Sequence, residues 1–320
     1  MAVYTEISSD ILDDFLKQYD IGSKKSFSGI AEGIENSKFY LETSGGRFIL
    51  TIFEKRVKPA ELPYFMDLMT HLADNGFSCP LPVKGKDGAA LRSLCGKTAC
   101  LTTFLNGKSV TDIRPVHCAE LGRAIALMQN AAKGFSAFRP NDLSVDGWAA
   151  LIDKIGTRAN EVENGLYDDL RRDFDFVAPR WPAHLLKSVI HADLFPDNVF
   201  FDGDRLSGVI DFYFACNDIA VYELAVCLNA WCFDASGLRF HADRAAAMLR
   251  AFDAVRPLSD DEKAAFPVLA RGACLRFLLT RTYDWLNPVA NALVTPKDPK
   301  QYVARAAFHR QVSTMTDYGF

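Results

Sequence analysis

Residues Val189 to Phe212 read VIHADLFPDNVFFDGDRLSGVIDF. Two β-prone runs, Val199-Phe200-Phe201 and Gly208-Val209-Ile210, flank Asp202-Gly203, a dipeptide that favours a tight hairpin turn. A hairpin there puts Asn198 and Asp211 at its open end, roughly opposite each other, with Asp193 a few residues before the first strand. Two carboxylates and one amide then converge on one point. Such hard oxygen donors suit Mg²⁺, which takes a few protein ligands and fills its other positions with water and phosphate. Zinc would call for Cys and His instead.

The order His191-x-Asp193-x-x-x-x-Asn198, followed by Asp211, matches the catalytic loop and metal-binding Asp of protein-kinase-like phosphotransferases. Alone, that spacing is also met in ordinary surface hairpins with scattered acids. The hairpin in register with Asp211 is what favours phosphoryl transfer. His191 reads as a hydrogen-bonding scaffold for the loop, since a carboxylate already fills the role of base.

Bulk properties are compatible with that chemistry and exclude others. A chain of 320 residues with 49% hydrophobic content can build two domains or one large two-lobed unit. Its net charge of −4 and pI near 5.9 leave no basic footprint for nucleic acid or an anionic membrane. No apolar run reaches membrane-spanning length, and the acidic start MAVYTEISSDILDDF lacks a secretory pattern, so a cytoplasmic protein is expected. The eight cysteines form no C-x-x-C pair and read as reduced, small apolar residues. Nothing in the sequence fixes an oligomeric state.

Along the chain, Ser9 is expected to cap a first helix whose apolar positions end at Gly22. Strands follow through SFSGIAEGIENSKFYLET and RFILTIF, then a helix over 61–75 and a strand over Lys97–Leu105. Beyond Asn106-Gly107 most of the chain reads as helix, apart from the hairpin. The expected fold is therefore α+β and two-lobed: a small β-rich N-lobe over residues 1–105 and a larger, mainly helical C-lobe over 106–320. A ligand cleft is expected between them.

On the nucleotide side, Gly29 and Gly33 lie between strands and admit two readings, a phosphate-covering loop or a plain hairpin turn. The connector Thr102–Gly107, with Thr103 and Leu105, is expected at the adenine end. A cation is missing from the strand that follows the glycines: FILTIFEKR carries Thr51 where kinase-like enzymes place Lys, and only Lys55 or Arg56 is near enough in sequence to reach back.

The chain resembles the aminoglycoside-phosphotransferase-like superfamily of small-molecule kinases, and within it the bacterial homoserine kinases of that fold. The segments carrying the resemblance are GIAEGIENSKFYLET, GGRFILTIFEKR, LTTFLNGKSV, VIHADLFPDNVFF, GVIDFYFACNDIAVYELAVCLNAWC and RGACLRFLLTRTYDW. The HADLFPDN box and Asp211 belong to the whole superfamily; ENSKFY, LTIFEKR with Thr51, and CLNAWC point to the narrower group. The resemblance implies a protein-kinase-like fold with ATP and Mg²⁺ as cofactors and L-homoserine as acceptor. It implies Asp193 as base and Asn198 and Asp211 as metal ligands.

An amino-acid acceptor needs an Arg for its carboxylate. On the helix from Arg271 to Trp285, Leu275, Leu278 and Trp285 are expected to share the buried face, with Arg271 on it, Arg281 at its edge and Arg276 pointing away. Arg271 and Arg281 can each serve a structural salt bridge (Asp284 for Arg281) or the substrate carboxylate. Asn229 and Trp231 are candidate pocket residues, Trp231 also a core residue, and Asp218 a helix cap. Aminoglycoside, choline or methylthioribose kinases, and a non-catalytic nucleotide-binding regulator, are the competing readings.

Overall fold

The computed structural model describes residues 5–30, 36–54, 58–288 and 296–320. The chain divides into two compact units, Met1–Asn106 with Gly208–Tyr213, and Gly107–Ser207 with Phe214–Phe320.

In the first unit, helix α1 (Ser9–Leu16) starts where the Ser8 hydroxyl accepts the Ile11 N–H, so the cap falls one residue before the expected Ser9. Strands β1 (Lys24–Gly29), β2 (Asn36–Thr43) and β3 (Gly46–Phe53) follow, then helix α2 (Leu62–Asp74), β4 (Leu91–Leu94) and β5 (Lys97–Thr103). The five strands form one antiparallel sheet in the order β1-β2-β3-β5-β4. Alternation along β2 and β3 sends Phe39, Leu41, Leu50 and Ile52 to the face covered by Leu12, Phe15 and Tyr19. Helix α2 turns Leu62, Phe65, Met66, Met69 and Leu72 inward, the stripe its spacing predicts.

The second unit contains α3 (Pro115–Ala131), α4 (Val145–Ile155), α5 (Leu166–Val177), β6 (Lys187–Ile190), β7 (Val199–Asp202), β8 (Arg205–Val209), β9 (Cys216–Ile219), α6 (Tyr222–Trp231), α7 (Ala242–Asp253), α8 (Asp260–Leu286) and α9 (Lys300–His309); the last two residues of β8 begin the segment counted with the first unit. Strands β6 and β9 pair antiparallel, and β7 and β8 form the hairpin whose Gly203 adopts φ +59°. Helix α8 is the axis of this unit. It spans 27 residues, starts at a capping box between Ser259 and Glu262, and packs against α4, α5, α6 and α9.

Two local readings are corrected here. Asp218 does not cap α6. It lies in β9, where its carboxylate accepts the Asn141 side-chain amide and its neighbour's N–H, each at 2.7 Å, while α6 starts at Tyr222 without a side-chain cap. Strand pairing with β6 has claimed the residue. Helix α8 has no single apolar face: Leu275, Arg276, Phe277, Leu278 and Leu279 are all buried, whereas Trp285 is exposed. A helix wrapped by four others cannot be read from one stripe. All eight cysteines are free thiols. Among the described residues no helix is long and apolar enough to cross a membrane.

Candidate active site

The loop between β6 and β7 carries His191, Asp193 and Asn198. Ala192 sits at its start with φ +64°, a left-handed conformation that costs a residue with a Cβ roughly 1–2 kcal/mol. Buried groups hold the chain in that shape. Glu223, on α6 and fully buried, accepts the N–H of His191 and, at 2.9 Å, that of Ala192. Arg276, on α8, donates to the Ala192 carbonyl at 2.6 Å, and Trp231 donates its indole N–H to the Leu194 carbonyl at 2.7 Å. His191 is buried and accepts the Asp193 N–H at its Nδ1, the scaffold role expected of it.

Burial pushes the Glu223 carboxyl up to about 7, with the two N–H donors and Arg276 pulling it down again. Glu223 and Arg276 were not singled out from the sequence. A signal was present for Glu223, since a carboxylate within IAVYELAV is a charge in an apolar run and needs a buried partner. Arg276 is buried rather than turned away from the core, because α8 is covered by four other helices.

Asn198 and Asp193 are joined directly. The Asn198 Nδ2 donates to the Asp193 carbonyl at 2.8 Å and to its Oδ2 at 3.1 Å. Because a carbonyl can only accept, this pairing fixes the amide orientation and turns Oδ1 to the remaining side. That oxygen is the donor a hard cation would use. The amide therefore fits a Mg²⁺ ligand.

Asp211 belongs to the first unit. It too has positive φ, +68°, and its Oδ2 is 2.7 Å from the Lys38 Nζ. Lys38 stands on β2 directly across from Thr51 on β3. Thr51 is buried, so the cation beside Asp211 comes from the neighbouring strand. Lys55 and Arg56, and likewise Gly33, lie outside the described residues. The segment is anchored by the Val209 N–H on the Ser78 carbonyl at 3.1 Å. Gly208 permits this approach: a Cβ there would stand 2.7 Å from a Leu105 methyl and 2.8 Å from the Ser78 oxygen. A carboxylate already holding one cation suits a second hard cation in chemical type.

Of the nucleotide-side residues, Gly29 closes β1 and pairs with Phe39. Thr103 ends β5, exchanging main-chain and hydroxyl bonds with Leu81, both at 2.9 Å. Leu105 packs on Gly208.

The acceptor candidates separate sharply. Arg271 is committed to Asp173, at 3.0 and 2.5 Å, and Arg310 grips the same carboxylate and Asp169. Asn229 is fully buried and bonded on all sides: it donates to the Ala225 and Ala270 carbonyls and accepts from His309, each at 3.0 Å. Trp231 is core. Among the described residues Arg281 has no carboxylate in direct contact; it bonds the Gln301 Oε1 at 2.9 Å and the Asp298 carbonyl at 3.2 Å, and the expected partner Asp284 is not among these. Burial lowers its proton affinity, with Arg305 adding to this, while Tyr302, Asp298 and Asp193 act in the opposite direction.

A profile of the phosphotransferase enzyme family matches residues 26–267. The homoserine kinase of Rhizobium etli is 53% identical over 319 residues, covering 100% of this chain and 99% of its own. That of Agrobacterium fabrum is 52% identical over the same share of each chain. Among solved structures, spectinomycin phosphotransferase superposes with a TM-score of 0.70 at 10% identity, covering 99% of this chain and 98% of its own. Amicoumacin kinase in complex with AMP-PNP gives 0.69 at 13%, covering 97% and 94%. These likenesses show the protein-kinase-like fold, with its antiparallel N-terminal sheet and helical C-terminal part. The chain belongs to the phosphotransferase enzyme family, among its homoserine kinases.

Proposed function

We propose that this enzyme transfers the γ-phosphoryl group of ATP to the hydroxyl of L-homoserine, giving O-phospho-L-homoserine and ADP. The observation that carries the reading is full-length identity of 53% to a homoserine kinase, in a chain whose His191-to-Asn198 loop is intact and braced. Asp193 orients the acceptor hydroxyl and receives its proton as the phosphoryl group leaves the nucleotide. Asn198, through Oδ1, and Asp211 are the residues that would hold Mg²⁺. Bound there, the ion would neutralise charge on the transferring phosphates.

The main-chain clamp on residues 191, 192 and 194 keeps the Asp193 backbone fixed, and the Asn198 amide orients its carboxylate through Oδ2. Positioning of that kind carries most of the catalysis in phosphoryl transfer. We assign the nucleotide to residues 1–105, including Gly29, Gly33, Thr103 and Leu105, and the catalytic loop and acceptor to residues 106–320. The proposed substrates, ATP and homoserine, favour a cytoplasmic enzyme.

The reading is tested by Mg²⁺-dependent ADP release with L-homoserine, choline, methylthioribose and kanamycin as separate acceptors. Turnover with homoserine alone supports it. Turnover with another acceptor keeps the chemistry and discards the substrate. ATP binding without turnover of any acceptor would leave a nucleotide-binding regulator.

A further inference from the structure

Several arginines of the second unit are buried or nearly so around α8 and α9, and all but two are matched. Arg271 and Arg310 share Asp173, Arg256 pairs with Glu262, and Arg276 donates to the Ala192 carbonyl with the Glu223 carboxylate as its counter-charge. The other two are not matched. Among the described residues neither Arg281 nor Arg305 has a carboxylate in contact. Arg305 is only 6% exposed, and its Nε and Nη1 have no hydrogen-bond partner. Arg281 bonds only neutral oxygens, with the Asp298 and Asp193 charges acting on it without direct contact.

Both guanidinium groups rest on one ring. Arg281 lies 4.5 Å and Arg305 4.4 Å from the centroid of Tyr302, and Arg305 also lies 5.3 Å from that of Phe233. Stacking on an aromatic face returns about 0.5–2 kcal/mol, which does not offset two buried like charges. An anion is the missing component. A row of rings shows where it would be relative to the chemistry. Phe195, two residues after Asp193, meets Phe277 at 4.9 Å, and Phe277 meets Tyr302 at 5.6 Å. The charge of Asp193 is felt at both Arg281 and Tyr302.

We propose that Arg281 and Arg305, stacked on the Tyr302 ring, receive the carboxylate of the acceptor and so select an amino acid over an uncharged alcohol. Arg281 takes the direct hydrogen bonds, and Arg305 supplies the second charge from its buried position. The inference rests on the homoserine reading for the identity of the acceptor, but its own content is carboxylate recognition. Homoserine fits the arrangement, since its carboxylate and its hydroxyl stand at opposite ends of a short chain. In sequence the residue had a signal that was passed over: Tyr302, Arg305, Ala306 and His309 repeat at helical spacing on the buried side of α9, which puts Arg305 on an apolar face.

The test compares L-homoserine with its primary amide, which keeps the hydroxyl and ammonium and lacks the negative charge. Both are followed by steady-state kinetics and by calorimetric binding without turnover. Wild-type protein should prefer the acid by at least about 10²-fold, the scale of a buried charge pair. Arg281→Gln and Arg305→Gln should each raise KM for homoserine about 10- to 100-fold. KM for ATP and kcat/KM for the amide should stay within a few fold. Arg305→Lys should keep most of the preference, which a merely structural arginine would not predict. Equal loss for acid and amide in both Gln variants, or acid and amide bound equally by the wild type, would overturn the proposal. A wild type that binds the acid preferentially but phosphorylates neither compound would remove the reaction while keeping the carboxylate site.

Discussion

The His191–Asn198 loop and the Gly208–Tyr213 segment each contain one non-glycine residue with positive φ, yet the protein holds them in opposite ways. In the loop, buried charged and aromatic groups from α6 and α8 grip main-chain atoms on either side of Asp193. In the segment, the anchors include the Val209 N–H on the Ser78 carbonyl and a close-packed glycine, and the Asp211 side chain is itself gripped, by a partly exposed lysine. A base in the role proposed for Asp193 must be aimed, which the grip on its main chain and the Asn198 amide on its Oδ2 both serve. A carboxylate in the metal-ligand role proposed for Asp211 can rest on a replaceable ammonium, here that of Lys38. The difference in how they are held matches the difference in the work proposed for them.

Breaking the loop's brace should have the largest structural effect. Glu223→Ala leaves two buried N–H groups unpaired and should cost about 3 kcal/mol, measured by urea unfolding, with a steep fall in kcat. Glu223→Gln keeps one acceptor oxygen and should lose less of both.

Next comes an acid-sensitive pin behind the same helices. His309 is buried between Asn229 and Tyr318, and burial holds its imidazole down at about 3, with Arg305 and Arg271 adding to the effect. The unfolded chain takes up a proton near pH 6.5 that the folded chain refuses until about pH 3, so stability falls as pH is lowered through that window. Between pH 7 and pH 5 the loss should be on the order of 2 kcal/mol, and His309→Asn should flatten the pH dependence of Tm over that range.

Lys38→Ala probes the other side of the comparison. It should cost no more than about 1 kcal/mol in stability, as a partly exposed pair does, while shifting the Mg²⁺ concentration needed for half-maximal rate. A loss as large as that from Glu223→Ala would show the two regions to be held alike. The smallest stability change is expected from Ala192→Gly. Relief of left-handed strain, roughly 1–2 kcal/mol, is set against the extra backbone entropy of glycine, about 0.5–1 kcal/mol. A drop in kcat beyond that balance would measure how far the fixed turn aims Asp193.

Much of this architecture was legible in the sequence because it is local. Alternation in NSKFYLET and GRFILTIF, the Asp202-Gly203 turn and the stripe of α2 each depend on neighbours within one element. So does the joining of Asn198 to Asp193, five residues apart. What was missed depends on partners far along the chain. Glu223 reaches back 31 residues to Ala192, and Arg276 reaches 84. Arg271 and Asp173 are 98 residues apart, so no spacing rule could choose between a salt bridge and a substrate for that arginine. Asp218 looked like a cap because the residues after it are helical; its strand partner, Ser188, lies 30 positions earlier. Sequence periodicity locates elements, and charge balance between distant elements decides which polar residues remain for function.

The central claim is that Asp193 drives phosphoryl transfer to the hydroxyl of homoserine. The most direct measurement is single-turnover formation of O-phospho-L-homoserine from MgATP and L-homoserine, by wild-type protein and by Asp193→Asn, with Kd for ATP measured in parallel. The account predicts a rate lower by about 10²–10⁴ in the variant with ATP affinity unchanged. A variant that forms the product at the wild-type rate would contradict it.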